Sequence, residues 1–237
     1  MTITRISAGS NDLDKWLTGG YETDIITTIY GPAGSGKTNF CVLAGMSQAK
    51  KGGKVIFVDT EGGFSVERFK QVAGEGYEKI LKNVLLLKPT TFSEQEKAFD
   101  KLLKEIKNAR ISLVIIDGMT MLYRLELAEA RKEDDKSEIS RINSKLARQM
   151  RILAEIARTR KIPVLITNQV YSDFGSGVDG GVHMVGGDIL KYWSKCIIEL
   201  QSKYGKRKAV MRKHRSLPEK ELNFVINMGG VGRRGIW

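Results

Sequence analysis

The stretch Tyr30-Gly31-Pro32-Ala33-Gly34-Ser35-Gly36-Lys37-Thr38 constrains this chain more than any other, because it requires a strand before it and a helix after it. The apolar run Asp24-Ile25-Ile26-Thr27-Thr28-Ile29 supplies the strand, and Asn39–Lys50 reads as the helix. Gly31, Gly36, Lys37 and Thr38 meet the pattern G-x-x-x-x-G-K-[ST] in full. Glycines let such a loop fold with its N–H groups pointing inward, and the helix N-terminus adds partial positive charge at the same place. In this geometry the backbone from Gly31 through Pro32, Ala33, Gly34, Ser35 and Gly36 cradles phosphates. Lys37 reaches the β- and γ-phosphates, and the Thr38 hydroxyl ligates Mg²⁺. A glycine-rich turn that binds nothing is the alternative, and the strand–loop–helix context weighs against it. The expected ligand is a nucleoside triphosphate with Mg²⁺.

The rest of the chain repeats the alternation of strand and helix. Lys54–Asp59, Val84–Leu87, Leu113–Asp117 and Pro163–Thr167 are continuous apolar runs of the kind found in buried parallel strands. Helices are expected over 65–74, from a capping box at Ser93-Glu94-Gln95-Glu96 to about Ala109, and along the apolar spacing Ile139, Ile142, Leu146, Met150, Leu153. A glycine-rich loop, residues 172–187, breaks the rhythm. Beyond it Cys196–Gln201, Lys208–Lys213 and Asn223–Asn227 read as short antiparallel strands extending the same sheet. The expected fold is α/β, a mostly parallel twisted sheet flanked by helices with C-terminal antiparallel strands. One domain over 1–237 is expected, with 1–23 as a short lead-in containing a capped helix from Ser10.

Charge and composition narrow the function. The formal net charge of +12 over 237 residues suits a polyanionic partner, or a charged surface of the heat-adapted kind. Cys41 and Cys196, far apart among apolar residues, read as buried thiols, and His183 and His214 are too few for a histidine metal site. No apolar run reaches membrane-spanning length and no signal-peptide core is present, so a cytoplasmic protein without a membrane partner is expected.

Asp117 closes an apolar strand in the Walker B manner. The expectation is a strand beside the phosphate loop, its carboxylate holding a Mg²⁺-bound water. Glu61, just past the Lys54–Asp59 strand, is a candidate to orient and deprotonate water, with Asp59 competing for that role. Gln169 ends a third strand, where an amide can sense the γ-phosphate and pass that state to the loop carrying Gly175, Gly177, Gly180, Gly181, Gly186 and Gly187. From Lys203 to Arg215 there are seven Lys/Arg residues and no acid. Lys203, Lys206, Arg207, Lys208 and Arg212 are candidates to track a nucleic-acid backbone, or else the solvated face of a hairpin. Lys213 and Arg215, at alternate positions, are candidates for a paired finger into a neighbouring subunit's γ-phosphate.

Together these motifs resemble the RecA/RadA recombinase superfamily, and within it a short archaeal paralogue. The likeness runs through Gly9-Ser10 to Asp14, Gly19–Thr23, the phosphate loop, Asp59-Thr60-Glu61-Gly62, Leu113–Asp117, Thr167–Val170, Gly186–Leu190 and Leu217-Pro218-Glu219. It implies an ATPase core in which Lys37 and Thr38 contact phosphate and Mg²⁺, Glu61 is the catalytic carboxylate, Asp117 the Walker B acid, and Gln169 the γ-phosphate sensor. Arg68 matches the arginine that stacks on adenine, and the segments after Asp117 and Gln169 would be DNA-facing loops. Residues 1–23 show neither the helical domain nor the Phe-x-x-Ala docking segment of RadA-type recombinases, and Tyr171–Gly187 is poor in Arg and Lys. The leading expectation is an accessory protein of homologous recombination and repair. It would bind ATP and single-stranded or branched DNA, hydrolyse slowly, partner a RadA-type recombinase and be able to form a homodimer. A DNA-stimulated strand-exchange enzyme and a KaiC-like signalling ATPase without DNA are the alternatives.

Overall fold

The computed structural model describes residues 4–172, 182–184 and 186–233. The elements run in the order β1 (Arg5–Ile6), α1 (Asn11–Trp16), β2 (Tyr21–Glu22), β3 (Ile26–Gly31), α2 (Lys37–Lys50), β4 (Lys54–Asp59), α3 (Val66–Ala73), α4 (Tyr77–Leu81), β5 (Val84–Leu87), α5 (Phe92–Asn108), β6 (Ile111–Asp117), α6 (Met121–Lys132) and α7 (Lys136–Arg160). There follow β7 (Val164–Ser172), β8 (Val182–Met184), α8 (Gly187–Trp193), β9 (Cys196–Lys203), β10 (Lys206–His214), β11 (Glu221–Asn227) and β12 (Gly230–Arg233).

The main sheet has the order β12-β11-β10-β9-β3-β7-β6-β4-β5, and β8 pairs with β7 off that path. From β9 to β5 the pairings are parallel, and from β9 to β12 they are antiparallel. The apolar strands are buried on both faces because alternate side chains feed two cores. Phe57 and Ile115 pack with Phe40, Leu43 and Phe224 under α2, while Ile56, Val58 and Ile116 pack with Leu102, Leu146 and Met150 under α5 and α7. The Phe40 and Phe224 rings meet edge to face at 5.3 Å, tying α2 to the antiparallel strands.

Several boundaries differ from expectation. The capping residue of α5 is Thr91, whose side chain accepts from Glu94 N, while Glu94 reaches back to Thr90 N at 2.8 Å; the box sits two residues before Ser93. The segment after Asp117 is a helix, α6, rather than a loop, and its buried Leu122, Tyr123, Leu127 and Ala130 form an apolar stripe. The Walker B strand β6 does not adjoin the phosphate-loop strand, because β7 lies between β3 and β6. Gly175, Gly177, Gly180 and Gly181 of the glycine-rich loop lie outside the described residues.

Candidate nucleotide-binding site

Register gathers the site. Gly31 pairs with Gln169 across β3 and β7, and Asp59 pairs with Asp117 across β4 and β6, so the functional positions end together at the carboxyl edge of the parallel strands. The phosphate loop opens there. Gly34 has φ +72° with open space where a Cβ would lie, and Gly36 caps α2 at φ +107°. Both are left-handed positions that favour glycine. Because Gly36 is the cap, α2 starts at Lys37 rather than Asn39, and the first-turn N–H groups of Lys37 and Thr38 face the loop.

Lys37 is buried and folded onto its own loop, donating to Gly31 O at 3.0 Å and Pro32 O at 3.1 Å. Burial lowers its pKa, opposed by the charges of Glu61 and Asp117. The Asp117 carboxyl is pushed up to about 6 by burial, against the hydroxyls of Thr167 and Thr38, which favour the anion. Thr167 Oγ1 donates to Asp117 Oδ1 at 2.5 Å and accepts from Gly118 N at 2.8 Å. Among the described residues, Asp117 Oδ2 and Glu61 Oε1 are buried without hydrogen-bond partners. The two orphaned carboxylate oxygens, together with the Thr38 hydroxyl that faces Asp117, are a donor set that fits a hard divalent cation.

Glu61 and Asp59 have separate tasks. Asp59 accepts from Gly63 N and Phe64 N, both at 3.0 Å, and so shapes the loop that follows it. Glu61 keeps one oxygen free and receives Gln169 Nε2 on the other at 3.1 Å. Threonines to which the sequence motifs assign no role knit the strand ends together. Thr60 Oγ1 donates to Gly118 O at 2.7 Å, and Thr120 hydrogen-bonds Asn168. Their signal in the sequence is one threonine at or just beyond each strand end, but threonine is common in strands and the pattern points nowhere by itself.

Arg68 sits beside the loop and is bonded on several sides. It donates to Asn39 Oδ1 at 2.7 Å, Gln71 Oε1 at 3.2 Å and Asn227 O at 2.8 Å, linking α2, α3 and the β11–β12 turn. Cys41 and Cys196 are buried thiols, and burial pushes the Cys196 thiol up to about 12.

The basic hairpin differs from expectation. Its sequence holds no acid, yet antiparallel pairing brings acids to it from neighbouring strands. Arg212 pairs with Glu199 at 2.6 Å and Glu219 at 2.7 Å, and Lys208 with Glu221 at 2.9 Å. Lys203 lies over the Tyr204 ring, Arg207 is half-buried, and Lys206 is exposed. Lys213 and Arg215 do not share a strand face, since β10 ends at His214 after a register shift. Lys213 Nζ donates to Lys191 O at 2.8 Å, while Arg215 binds Glu22 at 2.6 Å and Asp24 at 2.5 Å in its own chain. Among the described residues no helix is long and apolar enough to cross a membrane.

The comparisons agree with this architecture. A family model described as Rad51 matches residues 1–234. The chain is 40% identical over 227 residues to the DNA repair and recombination protein RadB of Methanobrevibacter smithii, covering 94% of this chain and 93% of that protein. It is 41% identical over 220 residues to RadB of Methanococcus maripaludis strain C7, covering 92% and 96%. With RadB of Methanocaldococcus jannaschii it shares 40% over 219 residues, covering 92% and 98%. A phosphate loop, a strand-end carboxylate pair and an amide on the strand between them, within a sheet matched almost end to end by that model, place the chain in the Rad51 family of RecA-like proteins.

Proposed function

We propose that this chain is an ATP- and DNA-binding accessory protein of homologous recombination and repair, which hydrolyses ATP slowly and uses it mainly as a conformational ligand. The observation that carries the reading is the hydrogen bond from Gln169 to Glu61 above the phosphate loop. It couples a sensor amide to the carboxylate beside the γ-phosphate position. The names of the relatives support the recombination and repair setting.

In this reading Lys37 leaves the Gly31 and Pro32 carbonyls for the phosphates, compensating its buried charge. Thr38 and Asp117 would hold Mg²⁺, which neutralises charge on the β- and γ-phosphates when bound. The free Glu61 Oε1 would accept the proton of the attacking water, and Gln169 would release Glu61 to meet the γ-phosphate. Because a ligand shifts states only by its differential affinity, the ATP and ADP forms differ through whether Gln169 bonds phosphate or Glu61. The Arg68 guanidinium, fixed beside the β11–β12 turn, would stack on the base. A RadA-type recombinase is the proposed partner, and DNA, single-stranded or branched, the proposed substrate.

A signalling ATPase with protein partners alone is favoured by one observation, the neutralisation of Lys208 and Arg212 by carboxylates. The test is ATP hydrolysis with and without single-stranded DNA, alongside DNA binding in ADP and in a non-hydrolysable analogue. Slow turnover that DNA does not stimulate, with salt-dependent DNA binding that Lys37→Ala makes blind to nucleotide, supports the accessory reading. Strong stimulation returns the chain to the strand-exchange enzymes, and absent DNA binding to the signalling ones.

A further inference from the structure

A row of cations without an ion-pair partner among the described residues lines the end of the sheet opposite the phosphate loop. β9, β3, β7, β6 and β4 are neighbours and parallel, so Lys195, Asp24, Lys161, Arg110 and Gly53, which precede them, share one amino edge. Three cavities open along that edge and run into one another. The first, about 850 Å³, is lined by Arg151, Arg158, Lys161, Lys195 and Arg215 against Asp24 and Glu155. The second, about 430 Å³, shares Lys161 and adds Arg110 and Arg160. The third, about 560 Å³, shares Arg110 and adds Lys51 and Lys54.

Charge along this trough is one-sided. Asp24 and Glu155 are its only carboxylates among the described residues, and Asp24 is already bound to Arg215. The other lysines and arginines named there are exposed and make no ion pair with a described carboxylate. In the hairpin the fold supplies acids to Lys208 and Arg212, while Lys203, Lys206 and Arg207 make no ion pair with a described carboxylate. At the β9 end a smaller cavity of about 200 Å³ shares Arg158 and Lys195 with the first and is walled by Tyr192 and Trp193. Their rings meet edge to face at 5.3 Å, and Tyr192 is 72% exposed.

We propose that this trough carries the phosphodiester backbone of a single strand of nucleic acid, with a base stacked on Tyr192. The inference rests on the DNA-binding reading above and moves the site from the basic hairpin to the amino edge. With strands about 4.8 Å apart, β9 to β4 spans roughly 19 Å. A span of that length takes several consecutive nucleotides of a single strand. A line of unpaired cations ending at an exposed aromatic is the arrangement that binds single strands without sequence preference. Because the trough and the phosphate loop occupy opposite ends of the same strands, DNA and ATP can be held together.

The test compares binding of a labelled oligo-dT strand across a salt series by fluorescence anisotropy. The full chain is measured against Arg110→Glu/Arg158→Glu/Lys161→Glu in the trough and Lys203→Glu/Lys206→Glu/Arg207→Glu in the hairpin. The trough variant is expected to lose about tenfold or more in affinity and to show a flatter salt slope, by about 0.7 for each phosphate no longer neutralised. Its thermal midpoint and its affinity for a fluorescent ATP analogue should be unchanged, which establishes that it folds. The milder Arg110→Gln/Arg158→Gln/Lys161→Gln should move the same way by less, Tyr192→Ala should weaken binding with the slope intact, and the hairpin variant should stay within about threefold. A folded trough variant that keeps DNA affinity and slope overturns the proposal, as does loss of polyglutamate binding with DNA binding intact, which would assign the trough to an acidic protein. No salt-dependent binding by the unaltered chain sinks the DNA reading itself, a result distinct from either.

Discussion

Gln169 Nε2 donates to Glu61 Oε2 at 3.1 Å, joining β7, where its pairing with β3 ends, to the loop after β4 across 108 residues of chain. The contact exists because β7 lies between the phosphate-loop strand and the Walker B strand. In the proposed function a sensor there would meet the phosphate on one side and the carboxylate loop on the other. Glu61→Gln should lower the single-turnover hydrolysis rate by about 10²-fold or more while leaving nucleotide affinity within a few-fold. Gln169→Ala should keep nucleotide binding but abolish the difference in DNA affinity between ADP and analogue states. Unchanged hydrolysis in Glu61→Gln would remove Glu61 from the chemistry.

Gly118 follows Asp117 at φ +90°, and a Cβ there would lie 2.4 Å from Thr60 Oγ1 and 2.6 Å from Glu61 Cγ. Gly118→Ala therefore strains the backbone and pushes the Glu61 loop aside, at a cost of about 1–3 kcal/mol. Denaturant titration should show that loss together with slower hydrolysis. A fully stable variant with normal turnover would mean that the Thr60–Gly118 contact does not position Glu61.

Stability should also depend on His214. Its Nδ1 accepts from Ser216 N and Leu217 N, both at 3.1 Å, which requires that nitrogen to be unprotonated. Burial lowers its pKa below the ordinary 6.5, opposed by Glu22 and reinforced by Arg5, Arg215 and Lys220. The folded state thus binds fewer protons than the unfolded chain. Stability is full above about pH 6.5 and falls as pH drops through the lowered folded value. Thermal midpoints between pH 7.5 and 5 should fall more steeply in the unaltered chain than in His214→Ala, which itself should lose about 1–2 kcal/mol at neutral pH. Parallel curves would show that the imidazole does not titrate against the fold.

Arg68→Lys keeps the charge and loses the fork that bonds Asn39, Gln71 and Asn227. Affinity for ATP should fall by about three- to tenfold, with inorganic triphosphate unaffected if the guanidinium serves the base. Equal loss for both ligands would place Arg68 on the phosphates.

Much of the fold is legible in the sequence because its strands are apolar runs closed by polar residues. Lys54–Asp59 and Val84–Leu87 coincide with β4 and β5, and the phosphate loop can be read directly from its glycines. What stays hidden depends on strand order. Sequence separation does not say that β7 intervenes between β3 and β6, nor that Glu199, Glu219 and Glu221 return to neutralise Lys208 and Arg212. The basic hairpin is a local property of sequence, whereas the amino-edge trough joins residues from separate strand starts and no single window contains it. Helix α6 escapes a reading by periodicity because its stripe is short and its sequence is dense in charge.

The placement of β3 has a consequence for how the chain is made. Ile26 pairs with Val164 and Thr27 with Cys196, so both flanks of the phosphate-loop strand are synthesised long after the loop itself. On the ribosome the nucleotide site stays open-sided until most of the chain has emerged. The exposed β3 must be kept from pairing elsewhere during that wait.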